Sequence, residues 1–545
     1  MTPPRPTLVV VGQVVIAFAE GGVQTAEAIG IADGRVVAVG SRDDVLEAKA
    51  PGARLVAAGD AAIIPGVHDA HLHLVGMARA QRITSFEGVE RFDSLLAELR
   101  NAAARVAPDG WVLGSGWSGA VLAAGPLERL EEAVGERPAL LSSHDTHSVW
   151  ASAAALRLAG IRVETADPPG GRIERRTDGS PNGLLREAAT DLVDVVAPRL
   201  GGPALDAALD EVLGGLAGLG VTGATDAGDS AVANGIGTYA ALGDSASVLL
   251  GARGRLDGRL RLSVNVPAAV IGAASVLGLR TGELLPGTET IRTGWAKAFA
   301  DGALGSRTAA LFDPYRDDAS AALGILQLDL EALAAIAAAA RAAGIGLATH
   351  AIGDRAVATA LDALATAPPS HDGVPADRIE HVQLARPADV ARFGAMGVTA
   401  SVQPVHVVSD RQPAEASWSD RLSNAYPWRS LVGSGAVLAL GTDAPVESPN
   451  PWRNLFAAIH RRAPLDGLAD WLPDEALDPI TALGAATRGP ALAMGRPDEG
   501  HLGVGAVADL AVLNVGLETL LAGNADLAHV RSELTLVDGR EVRLG

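Results

Sequence analysis

Two imidazoles two residues apart, His71 and His73, close the stretch Pro65-Gly66-Val67-His68-Asp69-Ala70-His71-Leu72-His73, directly after the apolar run Ala62-Ile63-Ile64. Side chains at i and i+2 of a β-strand leave the same face, so both rings can reach one metal ion. The same alternation puts Asp69 on that face, where it can orient a ligating imidazole or hold a turn, and sends His68 the other way, out of the ligand set. The chain has no cysteine, which excludes thiolate ligation and disulfides, so a metal must be held by His, Asp, Glu or a modified Lys. No serine sits in a recognisable nucleophile elbow either. The chemistry these residues point to is attack on a carbonyl by metal-activated water.

Positioning such a site requires strands that end together. The centre of the chain repeats a helix followed by a short buried strand, the pattern of parallel α/β architecture. In the clearest unit Asp329 is placed to cap a helix from Glu331 to Ala343, Gly344 stops it, and residues 345–350 follow as a strand. Strand candidates fall near 62–67, 221–226, 260–266, 294–300, 345–350, 377–382, 398–403 and 436–442, the number that closes a (β/α)8 TIM-like barrel. Their C-terminal ends carry His71 and His73, Lys297, His350, His381 and Asp443, enough donors for one or two divalent ions. A lone strand-end histidine is more often a satisfied core residue, and a lone buried lysine more often half of an ion pair. The joint placement at one mouth is what argues for a site. Arg378 and Glu380 alternate away from His381 and read as a structural ion pair. Asp301 and Arg307, after the fourth strand, are candidates to contact substrate or to fix their loop.

With 545 residues, 48% hydrophobic and 20% charged, the chain is globular and long enough for several folding units. Residues 1–64 and 500–545 are both short β-runs with Gly turns, among them a hairpin at Asp33-Gly34, and together predict one composite β-sandwich domain. Residues 65–499 are expected to form the barrel that carries the metal site, with 80–200 as an inserted α/β subdomain above its mouth. That insertion carries His147, a candidate to face the substrate, and Trp117 and Trp150, which either line an apolar pocket or pack a core. A net charge of −20 argues against nucleic-acid and anionic-membrane partners, and no window approaches the roughly 20 apolar residues of a membrane span. The expected protein is cytoplasmic, acts on a small molecule, and is free to form a homo-oligomer.

The motif Pro65 to His73 resembles the opening motif of the metal-dependent amidohydrolase superfamily. Lys297-Ala298-Phe299-Ala300-Asp301-Gly302-Ala303-Leu304-Gly305-Ser306-Arg307-Thr308-Ala309, His350-Ala351-Ile352-Gly353-Asp354-Arg355-Ala356, Arg378-Ile379-Glu380-His381 and the tail Ala508-Asp509-Leu510 are similar to its amidohydrolase-3 branch, which includes N-substituted formamide deformylases. The resemblance implies metal binding by His71, His73, His350, His381 and Asp443, zinc first with manganese or iron as alternatives, and a carboxylated Lys297 bridging two ions. It implies hydrolysis of a non-peptide C–N bond, with Asp443 as general acid/base. Deamination, or hydrolysis of a carbamate, ester or lactone, is the nearest alternative, and a non-catalytic binding or regulatory relative the more distant one. Thr146 in His144-Asp145-Thr146-His147 departs from the glycine usual there.

Overall fold

Apolar runs alternating with helices place eight parallel strands in one sheet whose order follows the chain, in a computed structural model that describes residues 4–19, 22–228, 235–369 and 373–544. These are β1 (Val67–Leu72), β2 (Val221–Asp226), β3 (Arg261–Pro267), β4 (Ile291–Phe299), β5 (Leu347–Ala351), β6 (Arg378–His381), β7 (Thr399–Val402) and β8 (Leu438–Leu440). The connecting helices use the expected punctuation. Asp329 accepts a hydrogen bond from the Ala332 amide at 2.9 Å to start helix Leu330–Ala343, and Gly344 ends it with φ +69°. Gly397, at φ +67°, ends helix Pro387–Met396 in the same way.

β8 is only three residues long, so the barrel is closed just past its end. There the Asp443 amide donates to the His71 carbonyl and the His73 amide to the Ala444 carbonyl, both at 2.7 Å. The buried Asp69 carboxylate clasps this seam, accepting from the His71 amide at 3.1 Å, the Thr442 amide at 3.0 Å and the Thr442 hydroxyl at 2.6 Å. Asp69 therefore holds backbone, the turn role, rather than a ligating ring. Gly441 lets the two strands approach, since a Cβ there would lie 2.4 Å from the His71 amide nitrogen.

The first barrel strand differs from expectation. Residues 62–65 do not enter the barrel, which begins at Val67. The strand Arg54–Pro65 pairs with Leu8–Ala19 and Leu510–Leu513, and the chain crosses into β1 at Gly66. One continuous apolar run thus serves two sheets, which hydrophobicity alone cannot divide. Gly66 permits the crossing because a Cβ would lie 2.0 Å from Thr222 Oγ1. The register between β1 and β2 also slips between Asp69 and Leu72, one extra residue on β1. His68, paired with Gly223 before that slip, turns toward Gly223 and the Thr225 hydroxyl, where burial and Arg378, Arg292 and Arg261 hold its pKa down to about 3.

Both chain ends contribute to one seven-stranded sheet, in the order Arg540–Glu541, Ser532–Val537, Leu510–Leu513, Arg54–Pro65, Leu8–Ala19, Gly22–Ala32, Arg35–Gly40. Ile31 and Leu536, from opposite ends of that order, share one core, and Arg35 bridges Val507, so the sheet folds over on itself. It is tied to the barrel floor by buried ion pairs. Arg261 forks onto Asp509 at 2.6 and 3.1 Å, and Arg292 meets Glu499 at 2.7 Å. A six-stranded sheet built from residues 84–187 forms the insertion. Trp117 and Trp150 lie in its core with Phe92 and Leu96, so they are packing residues and not cavity walls. Among the described residues no helix is long and apolar enough to cross a membrane.

The seam makes a stability prediction. Gly441→Ala should cost about 1–3 kcal/mol through overpacking, read as a lowered thermal midpoint, whereas Gly433→Ala, with nothing within 4 Å of the added Cβ, should leave the midpoint unchanged.

Candidate metal centre

The seam hydrogen bonds deliver three side chains to one point. Asp443 Oδ1 lies 3.3 Å from His71 Nε2 and 3.1 Å from His73 Nε2, and the ligand atoms of the three residues lie within 4.8 Å of one another. Behind His71, Nδ1 meets Glu380 Oε2 at 2.6 Å, and Glu380 is in turn held by Arg378 at 2.6 Å. The Arg378–Glu380 ion pair expected from the sequence is present, and it also fixes a ring of the site, which the sequence reading missed. Alternation put Glu380 and His381 on opposite faces. In the structure His381 has φ +73° and Val382 φ +47°, so the chain turns at the strand end, His381 lines the cavity and Glu380 stands behind His71. Arg378, His71 and Lys297 together hold the Glu380 carboxyl far below its usual range, against the effect of burial.

The remaining expected donors surround this point. The rings of His381 and His71 are 4.9 Å apart, and those of His350 and His381 4.5 Å apart. His350 Nε2 lies 3.1 Å from the Gly302 carbonyl. Lys297 is buried, with Nζ 4.9 Å from the centre of the Phe299 ring and no carboxylate within 4.0 Å among the described residues. Burial lowers its pKa. His406, in the first turn of helix His406–Ser417, was not expected. Its Nε2 lies 3.2 Å from Asp443 Oδ2 and its Nδ1 3.8 Å from Glu447 Oε1. It sits four residues past the end of β7 in Gln403-Pro404-Val405-His406, so a search widened by one helical turn beyond each strand would have found it. Burial opposes its ionisation, but Asp443 and Glu447 push its pKa up to about 10.

These residues line a cavity of about 700 Å³ between the barrel mouth and the insertion. His147 faces it, its ring 5.1 Å from that of His350 and its Nδ1 2.8 Å from Glu187 Oε2. Glu187 also accepts from Gln327 at 3.0 Å and from the Thr308 hydroxyl. Asp301 and Arg307 do not line the cavity. The Asp301 carboxylate is wholly buried and accepts from the amides of Ala310, Ile352 and Gly353 at 2.8, 3.0 and 2.8 Å. Arg307 points to solvent and pairs with Asp317. Arg307 is held within the loop after β4, while Asp301 joins that loop to the one after β5 and stands with Oδ1 3.6 Å from His350 Nε2.

The donor set fits a divalent cation. His381 Nδ1 and Asp443 Oδ1 are buried atoms without a hydrogen-bond partner, although Asp443 Oδ1 stands within 3.3 Å of two imidazole nitrogens. Buried polar atoms are normally satisfied, so atoms left open at one point, in a nitrogen and carboxylate set, suit an ion such as zinc.

Comparisons with known proteins agree. The Amidohydrolase family pattern matches residues 54–543. Protein LONG AFTER FAR-RED 3 of Arabidopsis thaliana is 31% identical over 500 residues, covering 90% of this chain and 84% of that one. The putative amidohydrolase YtcJ of Bacillus subtilis is 30% identical over 465 residues, 83% of each. The N-substituted formamide deformylase of Arthrobacter pascens is 26% identical over 536 residues, 94% of each. The crystal structure of an uncharacterised metal-dependent hydrolase from Pyrococcus horikoshii OT3 aligns with TM-score 0.68 at 25% identity, covering 92% of this chain and 96% of that one. The eight-stranded barrel, the strand-end donors and this match over nearly the whole length lead to one conclusion: the chain belongs to the amidohydrolase family.

Proposed function

We propose that this chain is a metal-dependent hydrolase that cleaves a non-peptide, amide-type C–N bond in a small molecule. The observation that carries the reading is the Asp443 carboxylate set against His71 and His73 in the lining of the cavity, with its Oδ1 free of hydrogen bonds. His71, His73, His350, His381 and Asp443 would hold the ion or ions. When bound, a divalent metal polarises a carbonyl and lowers the pKa of water toward about 7. Burial holds Lys297 below its ordinary pKa, the direction that favours the free amine from which a carboxylated lysine forms. Zinc is the metal this set suits best.

Asp443 is the acid/base. It stands at the mouth, where its carboxylate takes the proton of the attacking water and passes it to the departing nitrogen. Against the effect of burial, the imidazoles around it lower its pKa well below the usual range, so it is ionised at neutral pH. His147 reaches the substrate from the insertion, its ring fixed by Glu187. The deaminase alternative is disfavoured at two positions. Three residues after His350 and His381, where a ring-protonating glutamate would stand, the chain has Gly353 and Leu384. The N-substituted formamide deformylase relative supports an acyclic amide, and the cavity volume a small one.

Asp443→Asn, reconstituted to the metal content of the unaltered chain by elemental analysis, should lose about 10²–10⁴ in kcat across formamides, N-acyl amines and carbamates. Full hydrolysis by that variant would remove Asp443 from the proton transfer, and a chain with no bound metal and no hydrolysis would remove the whole reading. The dyad predicts a pH dependence. Burial lowers the His147 pKa, but Glu187, Asp145 and Asp301 outweigh it and push it up to about 9. A raised folded-state value stabilises fully below about 6.5 and is lost as pH rises through about 9. The thermal midpoint of Glu187→Gln should therefore fall further below that of the unaltered chain at pH 6 than at pH 10, and a gap independent of pH would show that the pair carries no charge.

A further inference from the structure

The geometry points to a subsite for a substrate ammonium group in the β6–β7 wall of the cavity, formed by Asp410 and Gln383. This deepens the amide-hydrolase reading above and rests on it, naming the substrate class as an amide whose remote end carries a positively charged nitrogen. Asp410 lies four residues after His406 on helix His406–Ser417, so it shares that face one turn, about 6 Å, further along. Both residues line the cavity, as does Gln383, two positions past His381.

Asp410 is held through one oxygen only. Its Oδ2 accepts from the Tyr426 hydroxyl at 2.8 Å and from Gln383 Nε2 at 3.1 Å, while among the described residues Oδ1 has no hydrogen bond and the carboxylate no ion pair. Tyr426 is fixed in turn, its ring set edge-on to Trp428 and Trp471 and its carbonyl accepting from Arg461 at 3.0 Å. Gln383 is 4% exposed, and its Oε1 is a buried acceptor without a partner. Turning the amide over would set that oxygen against the Asp410 carboxylate, so it stays open. Burial pushes the Asp410 carboxyl up to about 6, which leaves it ionised at neutral pH at a cost that a bound cation removes. The other charged groups nearby are already engaged. Glu447 meets His144 Nε2 at 3.2 Å and the Ser409 hydroxyl at 2.7 Å, and His406 faces Asp443. Fastening Tyr426 would account for Asp410 Oδ2, but not for two acceptors, Asp410 Oδ1 and Gln383 Oε1, left open on one wall. Acceptors alone call for a donor, and a net charge of −20 draws cations to the mouth rather than anions.

Matched N-formyl pairs test this: diaminoalkanes formylated at one end, against alkylamines in which a methyl group replaces the ammonium, in series of increasing chain length. Binding to the purified full chain is read by calorimetric titration, turnover by released formate, and metal content by elemental analysis. The best ammonium member should bind more than about tenfold tighter than its methyl partner, with the same preference in kcat/KM. Asp410→Asn, which keeps one oxygen for Tyr426 and Gln383, should lower that preference by about tenfold, and Gln383→Met by a smaller factor. The subsite is overturned if the methyl members bind as tightly as the ammonium members, or if both variants keep the full preference. Turnover of the two series alike removes the subsite only. An ammonium preference in binding, with no turnover and no bound metal, removes the proposed function and leaves the subsite standing.

Discussion

The seam between β1 and β8 is the constraint on which everything else depends. A parallel barrel must close between its first and last strands, and here the last strand is too short to close it by a backbone ladder. Closure falls to the Asp69 carboxylate and to two backbone hydrogen bonds that involve the residues bearing His71, His73 and Asp443. The same bonds that shut the cylinder therefore set the spacing of these three side chains. Neither can be loosened without the other. Gly441 is part of the bargain, since any side chain there would push β8 away from His71.

Backbone in the left-handed region recurs around the cavity. His381, Asp443, Thr146 and Glu187 all have positive φ, at +73°, +60°, +60° and +51°. Such conformations cost roughly 1–3 kcal/mol for residues other than glycine and persist where the surroundings impose them. Here they redirect side chains that regular strand or turn geometry would point elsewhere. His381 swings into the mouth beside Glu380, and Glu187 reaches under the loop after β4 into space that a side chain at position 302 would fill. The insertion thereby supplies a wall of the cavity.

Much of this was legible in the chain, and the limits have physical causes. Period-two alternation and helix punctuation locate seven of the eight barrel strands to within a few residues, and the strand-end rule brings His71, His73, Lys297, His350, His381 and Asp443 to one mouth. The first strand was displaced because an apolar run carries no mark of which sheet each half joins. The ion pair of Glu380 with Arg378 was legible, but its hold on His71 was not, because alternation ends where the strand does. His406 lay outside the search because it stands on a helix, and Glu187 because its role depends on a contact across 40 residues with His147, which no local pattern encodes. Asp301 and Arg307 sit inside the family-like segment after β4, but neither lines the cavity. Motif membership alone does not separate the two kinds of residue.

The ion pairs under the barrel bear on how the chain is made. Arg261 waits for Asp509, 248 residues later, and Arg292 for Glu499, 207 residues later. Until those carboxylates emerge from the ribosome, two guanidiniums at the starts of β3 and β4 have no counter-charge, and burying them dry is prohibitively costly. The nascent cylinder must stay wet at its base through most of translation. The carboxylates of Glu499 and Asp509, arriving after the whole barrel, supply that counter-charge, so the base closes dry only once the C-terminal segment is in place.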